Sequence, residues 1–384
     1  MKICVATGTR AEYGLLKPLM EAIRKEMGWD LQILATGAHL SPEFGLTFQN
    51  IEQDGYIIDK KIEMLLSADT GTAIIKSMGI GMIGYADALQ DLNPDALVIL
   101  GDRYEMLSIA TSALILKIPI IHLHGGEITE GAYDDAIRHA ITKMSHLHFT
   151  STETYRERII QMGENPDHVF NVGAVGIDNV KKLTLLSKKE LEENLKVRFK
   201  KYNYQITFHP ATLDTETPEK QFQILLDALD EQDDSFFIFT KSNADTNGRI
   251  INRMIDDYVN QNPDKASAFD SLGTLRFLSV VSICDAIIGN SSSGILEAPS
   301  LHTATINIGK RQQGRIQAKS IINTAVDKNE ILKGIERVKS DSFQKIVDNV
   351  NNPYGDGGTV TNIMKVLRKT DFENIIIKKF FDKS

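Results

Sequence analysis

Acidic, cationic and imidazole side chains gather in this sequence at short Gly-bearing turns, each directly after an apolar run. "TGTRAEYG" (7–14) presents Arg10, and "GDRYE" (101–105) presents Asp102 and Arg103. "HGGEITEGAYDDAIRH" (124–139) carries His124, Glu127, Asp134, Asp135, Arg138 and His139. Later turns add His209 in "FHP" (208–210), and Asn243 and Asp245 in "TKSNADTNG" (240–248). "GNSSSGILE" (289–297) supplies Ser291, Ser292, Gly294 and Glu297, and "GKRQQGR" (309–315) supplies Arg311 and Arg315. Carboxylates with imidazole suit proton transfer. Guanidinium groups, hydroxyls and backbone N–H groups at helix starts suit an anion such as a diphosphate. Together they describe an enzyme acting on a phosphorylated substrate.

Each feature also has a plainer use. Asp102 before Arg103 can cap a helix with a surface ion pair, and Asp134-Asp135 at a helix start favours the local dipole. Ser and Asn are ordinary N-caps, and His209 before a proline can be a satisfied loop histidine. The pairs His122/His124 and His146/His148 alternate, so each pair shares one face of a strand. No Cys or carboxylate pattern completes a closed ligand set around them, and no metal is assigned. What outweighs the plain uses is that acids, cations and histidine collect at the same kind of place in both halves of the chain.

The elements that must hold these turns alternate regularly. "KICVATG" (2–8), "LQILATG" (31–37), "DALVILGD" (95–102), "IPIIHLH" (118–124), "LHFTS" (147–151) and "HVFNVG" (168–173) read as strands. Helical patterns separate them over 13–27, 104–116, from Asp134 and over 153–162. The pattern restarts with "QITFHP" (205–210), "SFFIFTKS" (235–242), "ICDAIIGN" (283–290) and "TATINIG" (303–309). Strands alternating with helices predict βαβ units and parallel sheets covered on both faces. In such sheets ligands sit outside the carboxyl ends of the strands, where the turns above lie.

The Lys-rich segment 181–200, with periodic Leu residues, reads as a surface helix separating two doubly wound domains, 1–178 and 179–365. A last helical stretch, 359–383, suggests a C-terminal helix over 366–384 packing back on the first domain. "GIGMIG" (79–84) spells a dinucleotide fingerprint, yet it follows no strand and sits in a helical pattern. Close helix packing is its expected use.

At 384 residues the chain exceeds one ordinary core. A net charge of −8 argues against general nucleic-acid binding. The two cysteines, Cys4 and Cys284, lie in apolar runs and read as buried thiols. No signal-peptide pattern or membrane-length apolar run occurs, so a cytoplasmic setting is expected.

The motifs "TGTRAEYG", "GDRYE", "HGGE…DDAIRHAITKMSHLH", "FHP", "GNSSSG…E" and "GKRQ…GR" resemble, in order and rough spacing, those of the hydrolysing UDP-N-acetylglucosamine 2-epimerases. The likeness is strongest to the bacterial sialic-acid-pathway branch and spans roughly residues 2 to 365. It implies a GT-B-like fold, two Rossmann-like domains with the active site in the inter-domain cleft, and no metal or nicotinamide cofactor. It also implies a reaction: loss of the C2 proton and then of UDP from UDP-N-acetylglucosamine gives 2-acetamidoglucal, and hydration gives N-acetylmannosamine. By motif, Asp102, His124, Glu127, Asp134 and His209 take catalytic positions. Arg10, Arg103, Asn243, Asp245, Ser291, Ser292, Gly294, Glu297 and Arg311 take nucleotide- or substrate-binding positions. Relatives are commonly dimers or tetramers, and the Met-rich helix around 75–92 is the expected contact face.

The sequence departs from the family pattern at one point. Many relatives read H-x-E-G-G-E, but this chain reads "HLHGGE", with His124 where the first carboxylate would stand. Either His124 moves the proton itself, since imidazole titrates near neutral pH, or Glu127 or Asp102 takes that task. A sister activity on UDP-N,N'-diacetylbacillosamine, towards legionaminic acid, would keep every nucleotide contact. A non-hydrolysing epimerase is a further alternative.

Overall fold

The computed structural model describes the chain except for residues 69, 131, 211–215, 243–247 and 383–384. Asn243 and Asp245 therefore lie outside the described residues. The chain divides into two compact units. The first comprises Met1–Glu127, Asp134–Asn179 and Tyr354–Ser384, and the second Ile128–Tyr133 and Val180–Pro353.

The first unit holds strands β1 (Lys2–Thr7), β2 (Asp30–Thr36), β3 (Lys60–Ile62), β4 (Ala96–Leu100), β5 (Ile120–Leu123), β6 (Leu147–Thr150) and β7 (Val169–Asn171). They form one sheet in the order β3-β2-β1-β4-β5-β6-β7, and every neighbouring pair is parallel. The second unit repeats the scheme with β8 (Tyr202–Thr207), β9 (Ser235–Thr240), β10 (Ala266–Phe269), β11 (Ala286–Gly289), β12 (Ala304–Ile308) and β13 (Ile321–Thr324). Its order is β10-β9-β8-β11-β12-β13, again parallel throughout. The central strands are apolar on both faces because helices cover both sides. Ile3 and Val5 of β1 enter one core cluster, while Cys4 and Ala6 enter another on the opposite face.

Strand order reverses between β1 and β4 in the first unit and between β8 and β11 in the second. The turns leaving these strands carry Arg10 and Asp102 in one case, and His209 and Ser291 in the other. Both sheets thus put their chemistry at the point where open α/β sheets bind ligands.

Several elements differ from expectation. β3, β10 and β13 are strands that the sequence pattern did not single out. The segment 181–200 holds no single helix: Val175–Lys182 ends, and Lys188–Leu195 begins behind a Ser187–Glu190 capping box. The last helix is Thr359–Leu367, and residues 368–382 form turns and irregular chain instead of continuing it. Val360, Ile363, Met364, Leu367, Phe372 and Ile375 pack into the same core cluster as Ile3 and Leu16. Residues 128–133 group with the second unit, where Glu130 N–H donates to the Gln313 carbonyl at 3.3 Å.

"GIGMIG" lies inside the helix Gly71–Leu92. A Cβ on Gly84 would stand 2.6 Å from the Ile62 side chain, and one on Gly81 would stand 2.9 Å from the Tyr85 ring. These glycines serve close packing of the helix. Among the described residues no helix is long and apolar enough to cross a membrane.

Candidate active site

The first unit assembles a connected acid–base group around one buried guanidinium. Arg138, on the helix Asp134–Met144, is only 1% exposed. Its Nη2 donates to the Asp102 carboxylate, its Nη1 donates to the Glu127 carbonyl at 3.0 Å, and Asp135 stands 3.5 Å from Nη1. A buried cation must be paired. Pairing it this way fixes the turn after β4 and the turn after β5 to one helix. Asp102 is therefore not a helix cap: the cap position of the helix Tyr104–Ile115 is Arg103.

The turn after β5 needs its glycines. His124 and Gly126 are both left-handed, at φ 63° and 77°. A Cβ on Gly126 would lie 2.5 Å from the Tyr155 carbonyl oxygen. The turn delivers Glu127, 1% exposed, into contact with two donors. His124 Nδ1 lies 2.9 Å from Oε1, and Ser151 Oγ donates to the same oxygen at 2.8 Å. His122, one pleat back, donates from Nε2 to the Gly101 carbonyl at 2.8 Å. Burial lowers its pKa to about 3, so the ring is neutral and structural. Asp134 opens its helix and is half-buried.

The turn after β1 is built around a second carboxylate group. Thr9 and Glu12 form a capping box at the helix Arg10–Lys25, which starts at the half-buried Arg10. Glu12 Oε2 accepts from Gly8 N–H at 2.7 Å and from Thr9 N–H at 3.1 Å. Glu105, buried and joined to Arg103 Nε at 2.7 Å, leaves so little space that a Cβ on Gly8 would meet its carboxylate oxygen at 2.7 Å. Burial, and after it the Glu105 charge, push the Glu12 carboxyl above the usual carboxylate range. Arg103, expected against a nucleotide, spends a guanidinium nitrogen on Glu105.

In the second unit Asn290 ties three turns together. Its Oδ1 accepts from His209 N–H at 2.7 Å, and its Nδ2 donates to the His209 carbonyl at 2.8 Å. Its own carbonyl accepts from Arg311 Nη1 at 3.0 Å and Gln312 Nε2 at 2.9 Å. Ser291 Oγ accepts from Ser293 N–H at 3.3 Å, ahead of the four-residue helix Ser293–Leu296. Glu297 follows that helix and is 7% exposed. Gly294 has a packing role, because a Cβ there would stand 2.6 Å from Thr305 Cγ2. His209, Ser291, Ser292 and Arg311 are half-buried at this end of the sheet.

The structure thus brings together Asp102, His124 and Glu127 in one unit, and His209, Ser291 and Arg311 in the other. The sequence reading did not assign functions to Arg138, Ser151, Glu12, Glu105, Asn290 or Gln312. Glu12 had a local signal, as the fourth position of a T-x-x-E capping box.

Residues 21–368 match the family of UDP-N-acetylglucosamine 2-epimerases. The chain belongs to that family. Across its full length it is similar to the GDP/UDP-N,N'-diacetylbacillosamine 2-epimerase (hydrolyzing) of Campylobacter jejuni, with 45% identity over 382 residues and 99% of each chain covered. It is 39% identical over 385 residues to the polysialic acid biosynthesis protein P7 of Escherichia coli, covering 99% of this chain and 97% of the other. Its fold resembles the crystal structure of Methanocaldococcus jannaschii UDP-GlcNAc 2-epimerase in complex with UDP-GlcNAc and UDP. That likeness has a TM-score of 0.78 at 20% identity and covers 96% of this chain and 100% of the other. The two parallel-sheet units of this epimerase are GT-B-like.

Proposed function

We propose that this epimerase hydrolyses UDP-N,N'-diacetylbacillosamine, inverting C2 and releasing UDP with the free 2,4-diacetamido-2,4,6-trideoxymannose. The observation that carries the substrate is the 45% identity, over 99% of both chains, to a relative named for that sugar nucleotide. This reading takes the place of UDP-N-acetylglucosamine as first substrate.

In the reaction a base takes the C2 proton, the C–H electrons form the C1=C2 bond, and the C1–O bond breaks with UDP leaving. Water then adds its oxygen to C1, and C2 receives a proton on the opposite face. The first unit supplies the proton groups, Asp102, Glu127 and Asp134. Arg138 supports this assignment, since its charge keeps the Asp102 carboxylate and the Glu127 turn in fixed geometry. The second unit supplies His209 near the leaving group, Ser291, Ser292 and Arg311 for the diphosphate, and Glu297 for ribose hydroxyls. Arg10 of the first unit is assigned as an anion contact. Fixed donors aimed at developing charge are the largest general source of rate enhancement.

The test is an NMR time course in deuterated water with each sugar nucleotide in turn. Expected is UDP release with a C2-deuterated mannose-configured product from UDP-N,N'-diacetylbacillosamine, at a higher kcat/KM than from UDP-N-acetylglucosamine. The reverse preference would favour the N-acetylmannosamine reading, for which the 39% identity to a polysialic acid protein is the support. A cytoplasmic setting belongs to the same reading and is supported by two free, buried thiols.

Self-association is part of the proposal as well. The packed helices Gly71–Leu92 and Tyr104–Ile115 leave Ile75, Ile83 and Ile115 more than two-thirds exposed. Exposed apolar patches of this kind mark association surfaces. Ile83→Asp should lower the light-scattering mass to that of one chain, and a wild type that is already monomeric would refute a dimer or tetramer.

A further inference from the structure

We infer that His124 positions Glu127 and does not itself carry the proton in catalysis. The inference rests on the hydrolysing-epimerase reading for its kinetic consequence, but its geometry is independent of any substrate.

Both ring nitrogens of His124 are committed. Val175 N–H points at Nε2 from 3.3 Å. A backbone amide can only donate, so Nε2 is the acceptor and the neutral ring carries its proton on Nδ1. That Nδ1–H faces Glu127 Oε1 at 2.9 Å. Protonating Nε2 would set two donors face to face and cost the Val175 bond. The ring is therefore placed to orient a carboxylate, the reverse of the common arrangement in which a carboxylate orients a histidine.

The surroundings reinforce this. Ser151 Oγ donates to the same carboxylate oxygen at 2.8 Å, so two donors converge on Oε1. Arg138 Nη1 donates to the Glu127 carbonyl at 3.0 Å. His124 keeps its place through its own N–H, which donates to the Phe149 carbonyl at 2.9 Å, and through a left-handed backbone at φ 63° that few non-glycine residues adopt. Among the described residues the titratable and charged neighbours include Glu127, Arg138, Arg158, whose Nη1 donates to the Gly126 carbonyl, and His122, the last kept neutral by burial. In this chain the imidazole that replaces a carboxylate in "HLHGGE" passes the proton task on to Glu127, three residues later.

Two measurements test this, one without substrate. In protein labelled with 15N-histidine, His124 should show the neutral Nδ1–H tautomer near pH 7, its signals identified by their loss in His124→Asn. An Nε2–H tautomer or a cationic ring would overturn the inference, whatever the enzyme's substrate. In kinetics, His124→Asn and Ser151→Ala should each lower kcat by about ten-fold. Each should also move the acid limb of the pH profile to higher pH, because a carboxylate that loses a donor takes up its proton more readily. Glu127→Gln should remove that limb and cost about 10³-fold. A His124→Asn variant as inactive as Glu127→Gln, beside an unmoved limb in Ser151→Ala, would make His124 the proton carrier and refute the inference. UDP titration of each variant separates these results from misfolding. A wild type that turns over neither sugar nucleotide would end the functional reading while the tautomer measurement still decides this one.

Discussion

Asp102→Asn should lower kcat by about 10³-fold while UDP affinity stays close to that of the wild type. Asparagine keeps the size of the side chain, and its Oδ1 can still accept from Arg138 Nη2, the bond that ties the turn after β4 to the helix Asp134–Met144. What disappears is the negative charge, and with it the capacity to take or return a proton. Steady-state kinetics beside calorimetric UDP titration read the two quantities separately. Equal loss of both would mean that Asp102 serves as an anchor for the buried Arg138. In that case Arg138→Lys, which cannot form the same planar set of bonds, should reproduce the effect.

Gly289→Ala should cost the second unit more than about 3 kcal/mol of stability. Gly289 ends β11 at φ 139°, a backbone state that side chains rarely adopt, and a Cβ there would lie 1.9 Å from the Thr207 carbonyl oxygen. That atom belongs to β8, the hydrogen-bonded neighbour of β11, where Gly289 is registered opposite Thr207. No rotamer relieves the contact, because both sides are backbone. The sheet must therefore open at its reversal point, and the following Asn290 would lose its hold on His209. Thermal unfolding followed by circular dichroism checks the value. A melting temperature near that of the wild type would mean that the strand end can shift without strain.

The central strands were legible in the sequence because an all-parallel sheet buries both faces and leaves uninterrupted apolar runs such as "ALVIL" and "AIIG". The edges were not. β3 is the three-residue "KKI" with two lysines, none of its residues fully buried, and charged, short edges are what protects a sheet from pairing further. β10, "ASAF", is only partly buried and carries little β-branched signal. At the site, the turns could be found because chemistry concentrates there, but their wiring could not. Asn290 reads locally as a cap in a Gly-Asn-Ser turn, while its amide in fact clamps a backbone 81 positions away. Arg138 lies 36 positions from Asp102, and Ser151 lies 24 from Glu127. Such pairings exist only once two strands have been laid side by side.

The return of residues 354–384 to the first unit has a consequence for synthesis on the ribosome. The second unit is almost continuous in sequence, so all but its six-residue outlier at 128–133 emerges in one stretch and can condense as it appears. The first unit begins earlier yet finishes later, since Ile363, Leu367 and Phe372 belong to the same core as Ile3 and Val5. Its opening strands must wait, partly uncovered, through the making of the whole second unit. Chaperone attention during that interval should fall on the half made first.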